Sequence, residues 1–370
     1  MQKYDVAAYI WPSYTGTEIR SRIFWEEGIG EWQTVRKSHE EHPERPLPLW
    51  GFEEEADPKV MEKQIDEAVS HGVNVFIYDW YWYDRLPFLE QCLDNGFLKA
   101  ANRSKMRFYI MWANHDVGLT WDRRNSDLPV DTTIWQGSQD RANFETVVHR
   151  IIDNYFSQPE YYLIDGKPVF MIYDVGNLIK GLGGIDKTCE ALEWFREETK
   201  KAGFPGLELQ MTFWNSMSVN LSGVDANHEG SAYDAVRLLG FDSISHYQFV
   251  HFVPLWKNRS YNDMFDIVDR EWAEIDRNST AVYYPHVSVG WNNDPRFRTT
   301  ERGTLTDNTP ENIEKMLRKA KKYLDDHPDR ARLITVNSWN EWTESSYLEP
   351  DTKYGYGYLD AIKKVFVDEQ

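Results

Sequence analysis

The chain has 370 residues, 27% of them charged, and a formal net charge of −19. That balance disfavours nucleic acid and anionic membrane surfaces, both of which call for basic patches. Its two cysteines, Cys92 and Cys189, exclude a disulfide scaffold, and a chain this long can bury a large core without staples.

Eight short apolar runs recur along the chain: 5–10, 73–78, 107–111, 168–173, 207–212, 242–246, 286–289 and 332–337. They are nearly continuous and do not alternate cleanly, which suits strands buried on both faces of a parallel sheet. Amphipathic helices lie between them. Asp57-Pro58 supplies an N-cap and a first-turn proline, followed by Val60, Met61, Ile65, Ala68 and Val69 at helical spacing. Phe144, Val147, Val148, Ile151, Ile152 and Tyr155 form a second stripe, and Leu192, Trp194 and Phe195 a less regular third. Thr309-Pro310 opens a fourth, with Ile313, Met316, Leu317, Ala320 and Leu324 on one face. Cys92 and Cys189 fall in helical stretches and are expected to be buried. This alternation predicts an α/β fold: one (β/α)8 TIM barrel over residues 1–370, with extended βα loops after the first and third strands. A doubly wound open sheet is the alternative, but Trp11-Pro12-Ser13-Tyr14 is not the Gly-rich turn that would follow its first strand. No apolar run reaches the length of a membrane span, so no membrane insertion is expected. The opening MQKYD does not resemble a signal peptide. That predicts a cytoplasmic protein, or a periplasmic or secreted one if a leader has been trimmed.

A barrel carries its chemistry at the C-terminal ends of its strands. Aromatic and hydrogen-bonding side chains gather there: Tyr9 and Trp11; Asp79, Trp80 and Trp82; Trp112, Asn114 and His115; Tyr173; Trp214; His246 and Tyr247; Trp291; and Trp339, Asn340 and Trp342. Flat rings stack on sugar faces, while amides and carboxylates take hydroxyl hydrogen bonds, so these are the candidate substrate-binding residues for a glycan. Asp79 and Asp174 close their strands and are expected to support the site. Directly after the eighth run stands Ser338-Trp339-Asn340-Glu341-Trp342-Thr343-Glu344. Three residues span at most about 10 Å, so Glu341 and Glu344 can face one sugar. Glycosidases need one carboxyl as proton donor and another as nucleophile or base, and an apolar wall raises the donor's pKa. His39-Glu40-Glu41-His42 lacks the four-residue histidine spacing of a zinc helix and is expected as solvated loop.

The Asn340-Glu341-Trp342-Thr343-Glu344 segment, with Glu349-Pro350 following, resembles the terminal-strand motif of glycoside hydrolase family 99. Gly28-Ile29-Gly30-Glu31-Trp32 and the stretch from Gly72 to Trp82 resemble its WbsX-like branch, described as glycosyltransferases of surface-polysaccharide assembly. Pro285 to Asn293 resembles the family's seventh-strand segment. The resemblance implies a (β/α)8 barrel and retaining, endo-acting hydrolysis. It implies that Glu341 is the base that deprotonates the sugar 2-hydroxyl, and Glu344 the general acid and then base, through a 1,2-anhydro sugar. Thr343 and Trp339 stand where family 99 commonly has His and Phe, and the Met111–Asp116 segment departs from the mannosidase pattern. The catalytic pair therefore transfers and mannose specificity does not.

The expected function is a retaining glycoside hydrolase acting on an α-linked polysaccharide, mannan-like or another bacterial or plant glycan, with no organic cofactor and no metal. Its partner is an oligo- or polysaccharide. One alternative is a glycosyltransferase or transglycosylase of surface-polysaccharide assembly, although no clear Asp-x-Asp or phosphate turn is present. The other is a non-catalytic carbohydrate-binding barrel.

Overall fold

The structure is a computed structural model that describes residues 3–128, 132–215, 218–223, 229–253, 257–298 and 303–369. Among these residues nine strands form the main path of one sheet, each parallel to its neighbours, with two short antiparallel strands, Leu86–Phe88 and Leu163–Ile164, attached beside it: β1 (Asp5–Ile10), β2 (Val75–Tyr83), β3 (Arg107–Trp112), β4 (Lys167–Ile172), β5 (Glu208–Thr212), β6 (Ser243–Ser245), β7 (Val282–Tyr283), β8 (His286–Ser288) and β9 (Leu333–Asn337). Their order is β7-β6-β5-β4-β3-β2-β1-β9-β8. The outermost two, β7 and β8, are separated only by Tyr284 and Pro285. They form one split stave, and the sheet closes on itself as a barrel. The stave changes partner at the split: Tyr284 N donates to Ile244 O of β6 (3.0 Å), and Pro285 O accepts from Thr335 N of β9 (3.0 Å). Proline has no N–H to give a ladder, which suits it to this break.

The strands lie within a residue or two of the sequence expectation, with two differences. A separate β7 was not foreseen. β2 also runs on from Tyr78 to Tyr83, because Tyr81–Tyr83 pair antiparallel with Leu86–Phe88 across a turn in which Asp84 and Arg85 both have positive φ.

Helices α1 (Trp32–Glu41), α2 (Pro58–Ser70), α3 (Arg141–Ile151), α4 (Val175–Leu182), α5 (Ile185–Lys201), α6 (Ala232–Leu239), α7 (Tyr261–Asn278), α8 (Pro310–Asp326) and α9 (Gly357–Lys363) surround the sheet. α2 starts as its sequence dictates: the Asp57 side chain accepts from Lys59 N at 2.8 Å, and Met61, Ile65 and Ala68 are buried. Between β2 and β3 three short helical turns, Cys92–Gly96, Phe97–Lys99 and Arg103–Lys105, replace a full helix. α1 corrects the loop expectation for His39–His42. The helix continues through Glu41, whose carboxylate pairs with the buried Arg123, and His39 Nδ1 lies 2.7 Å from Arg45 O. Cys92 is buried, whereas Cys189 on α5 is only half-buried, contrary to expectation. Among the described residues no helix is long and apolar enough to cross a membrane.

The barrel interior is polar and aromatic, and several of its polar groups pair with one another, as burial favours. Tyr109 donates to Gln210 Oε1 (3.0 Å), and Ser245 and Thr335 share a hydrogen bond of 2.7 Å.

Candidate active site

The strand ends open into a cavity of about 340 Å³, a volume suited to one or two sugar rings. Glu341 and Glu344 reach it from a tight hairpin that follows β9: β10 (Asn340–Glu341) pairs antiparallel with β11 (Ser346–Tyr347). The turn closes through Ser345 at φ 55°. One glycine lets a neighbouring loop approach this hairpin, and a second draws the Gly30 and Ser13–Thr15 segments together. A Cβ on Gly290 would lie 2.1 Å from Ser345 O, and one on Gly30, itself at φ +61°, would lie 1.9 Å from Ser13 O. No larger residue fits at either place. Glu31, next to Gly30, is thereby brought fully buried to the rim.

Arg296, on the loop between β8 and α8, ties the acidic groups together. Its Nη2 donates to Glu341 Oε1 (2.7 Å) and Thr343 Oγ1 (2.8 Å), its Nη1 to Glu344 Oε1 (2.9 Å) and its Nε to Glu31 Oε1 (3.1 Å). Arg123 steadies this loop by donating to Pro295 O (2.7 Å) and Asp294 O (3.2 Å). Glu31 also accepts from Trp11 Nε1, Thr343 Oγ1 (3.0 Å) and Ser13 Oγ (3.2 Å).

The two glutamates are not equivalent. Glu341 accepts from Arg296 on one oxygen and from Tyr247 OH on the other (2.8 Å), and two donors favour its anion. Burial pushes its pKa up, and Arg296 opposes that push. Glu344 is raised to about 8, first by burial and then by the charge of Glu341, with Arg296 countering. At neutral pH the shared proton therefore belongs on Glu344. Asp79 is raised well above the usual carboxylate range by burial and by the neighbouring Glu341 charge. Burial lowers the pKa of His115, so its ring is neutral.

Of the residues the sequence points to, Glu341, Glu344, Trp11, Asp79, His115, Tyr173, Trp214 and Tyr247 line the cavity, as does Asp174. Trp11, with Tyr81 and Trp121, forms an aromatic wall at centroid distances of 5.2–5.9 Å. Tyr173 and Trp214 meet edge to face at 5.6 Å on the β4–β5 side.

Ten others lie elsewhere. Strand alternation turns Trp80, Trp82 and Trp112 outward: Trp80 donates to Glu90 Oε1 (2.7 Å) and stacks on Trp82, and Trp112 packs against Phe144 of α3. Trp339 packs on Phe76 and donates to Gln64 Oε1 (3.2 Å). Trp342 stacks on Tyr347 at 3.7 Å and donates to Glu349 Oε2 (2.6 Å), so neither tryptophan walls the glutamate pair. Asn340 and Asn114 hold backbone, Asn340 clasping Trp11 through N (2.8 Å) and O (2.9 Å), and Asn114 clasping Asp174. Tyr9 lies deeper in the barrel, donating to His246 O (3.0 Å). His246 is buried with Nδ1 2.7 Å from Phe213 O. Trp291 lies off the cavity, its carbonyl accepting from Leu305 N (2.9 Å).

Sequence reading missed Arg296, Glu31, Tyr81 and Trp121. Tyr81 shares strand parity with Asp79, a signal the sequence does carry; Arg296 sits in a loop with no periodicity to place it. Among the described residues no group of three or more His, Cys, Asp or Glu side chains is arranged to hold a metal ion.

The fold is that of known enzymes. The family 99 endo-α-mannosidase of Bacteroides thetaiotaomicron superposes with a TM-score of 0.61 at 14% identity, covering 99% of this chain and 96% of that one. A protein described as glycoside hydrolase-like superposes with the same score and identity over 99% and 94%. The protein WxcX of Xanthomonas campestris pv. campestris is 26% identical over 361 residues in strain ATCC 33913 and 25% over 359 in strain B100. Each alignment takes in 92% of this chain and 46% of WxcX, so the chain spans about half the length of these curated relatives. The sequence profile described as glycosyltransferase WbsX matches residues 6–362, nearly the whole length, and the chain belongs to that family.

Proposed function

We propose that this protein is a retaining glycoside hydrolase that cuts within an α-linked polysaccharide. The observation that carries the reading is the pairing of Glu341 and Glu344 on one guanidinium inside an aromatic-walled cavity, with the proton biased to Glu344. Glu341 takes the proton of the sugar 2-hydroxyl, whose oxygen attacks the anomeric carbon. Glu344 protonates the departing glycosidic oxygen as its bond to that carbon breaks. In the second half, Glu344 takes a proton from water, the water oxygen opens the 1,2-anhydro ring at the anomeric carbon, and Glu341 returns the proton to the 2-oxygen. Both protons and both glutamates are restored. Arg296 holds the carboxylates at fixed spacing, and Trp11, Tyr81, Trp121, Tyr173 and Trp214 offer stacking faces to the sugars.

Digestion of a panel of α-linked polysaccharides with product analysis tests this reading. Release of oligosaccharides whose first-formed anomer matches the substrate is the expected result; inverted first product would exclude the route.

The family's description supports a second reading, transfer from a nucleotide sugar. The cavity lining opposes it: Asp79, Asp174, Glu341 and Glu344 face a single arginine that these glutamates already engage, a poor field for a diphosphate. Calorimetric titration with nucleotide sugars separates the two readings, since micromolar binding would favour transfer.

A further inference from the structure

Tyr247 has one hydroxyl proton and meets two carboxyl groups. Its oxygen lies 2.9 Å from Asp79 Oδ2 and 2.8 Å from Glu341 Oε2. A phenol donates one hydrogen bond, so the other contact closes fully only when a carboxyl group brings a proton of its own. The surroundings decide which carboxyl that is. Arg296 Nη2 stands 2.7 Å from Glu341 Oε1, so the positive charge lies on the Glu341 side. Asp79 is 3% exposed, and its second oxygen, Oδ1, has no hydrogen-bond partner, although the residue lines the cavity. An ionised carboxylate buried with a bare oxygen and no counter-ion is the costliest of the possible arrangements.

We propose that Asp79 rests as a neutral carboxylic acid: its Oδ2–H donates to Tyr247, and Tyr247 donates to Glu341. Asp79 is then a positioning residue toward Glu341. The direction of the chain matters. Run this way it leaves Glu341 ionised, with each oxygen fixed by one donor and a lone pair spare for a substrate proton. Run in reverse it would protonate Glu341 and remove the base. The inference deepens the hydrolase reading and rests on it for the role of Glu341; the protonation of Asp79 can be measured apart from any activity.

The test is difference infrared spectroscopy on the resting protein at neutral pH, without substrate. Subtracting Asp79→Asn from the unaltered chain should remove a protonated-carboxyl C=O band and leave the ionised-carboxylate bands in place. Tyr247→Phe should shift the same band, because the acid loses its acceptor. Loss of an ionised-carboxylate band in Asp79→Asn, or no shift in Tyr247→Phe, overturns the proposal. A kinetic arm follows on any glycan the protein cleaves. Asparagine can offer an N–H to Tyr247, whereas alanine cannot. Asp79→Ala should therefore lose about 10–100-fold in kcat/KM, and Asp79→Asn should recover most of that loss. An asparagine variant as impaired as the alanine variant means that Asp79 acts as an anion, and overturns the proposal. If no glycan is cleaved, the hydrolase reading fails, while the infrared result still decides the state of Asp79.

Discussion

Glu344 is the residue whose proton sets the pH response. Its carboxyl is raised to about 8 by burial and by Glu341, so the acid form persists through neutrality and is lost above it. Activity on a cleaved glycan is expected to fall as pH rises through about 8. Glu344→Gln should lower kcat by at least about 10²-fold with the fold intact by circular dichroism. Stability carries the same signature. The folded state holds this proton at pH values where the unfolded chain, near its ordinary carboxylate value, has released it, so folding is weakened as pH rises from about 4.5 through 8. Glutamine has no proton to lose, and urea titrations should show Glu344→Gln gaining on the unaltered chain as pH rises from about 4.5 to 8. At this scale the sequence is half legible. Asp79 and Glu341 are correctly drawn to the strand ends by residue type. The tryptophans are not sorted by type, because Trp80 and Trp82 differ from Asp79 and Tyr81 only in the face of the strand on which they fall. Arg296 could not be found at all, since its position is set by Arg123 and Gly290 across the fold.

The β10–β11 hairpin shows how an element holds the Glu341–Glu344 pair still. Its two residues flanking Glu341 are each fastened to a buried carboxyl group. Asn340 Nδ2 donates to Glu55 Oε1 (2.9 Å), and Trp342 Nε1 donates to Glu349 Oε2 (2.6 Å); Gln64 Nε2 links to Glu349 Oε1 (3.1 Å). Glu349 is raised to about 8 chiefly by burial, and Glu55 is raised by burial and by Glu349. Glu349→Ala leaves the Trp342 and Gln64 donors unmet and should cost about 1–3 kcal/mol in denaturant unfolding. Glu349→Gln keeps an acceptor for Trp342 and removes an ionisable group, so its deficit should shrink or reverse as pH rises through about 8. The tryptophans that looked like a sugar-binding wall in the sequence are thus anchors of the hairpin. Elements defined by periodicity, such as α2 and α8, are readable from the chain alone. α1 is not, since its packing of Trp32, Thr34 and Val35 against long loops comes from tertiary structure.

For the whole molecule, eight apolar runs and the helices between them suffice to specify a closed parallel barrel, because strands buried on both faces leave few other arrangements. The loops above the barrel, where the site's charge balance is made, are not written in any such pattern. The split stave has a consequence of its own. Every ring has a seam, and here it is short: β7 touches β6 through two register pairs, and β8 touches β9 through three. Backbone amides of residues 282–284 and 286–288 should exchange with deuterium sooner than those of β2 and β3, which share six register pairs. The barrel would then unzip from that side first.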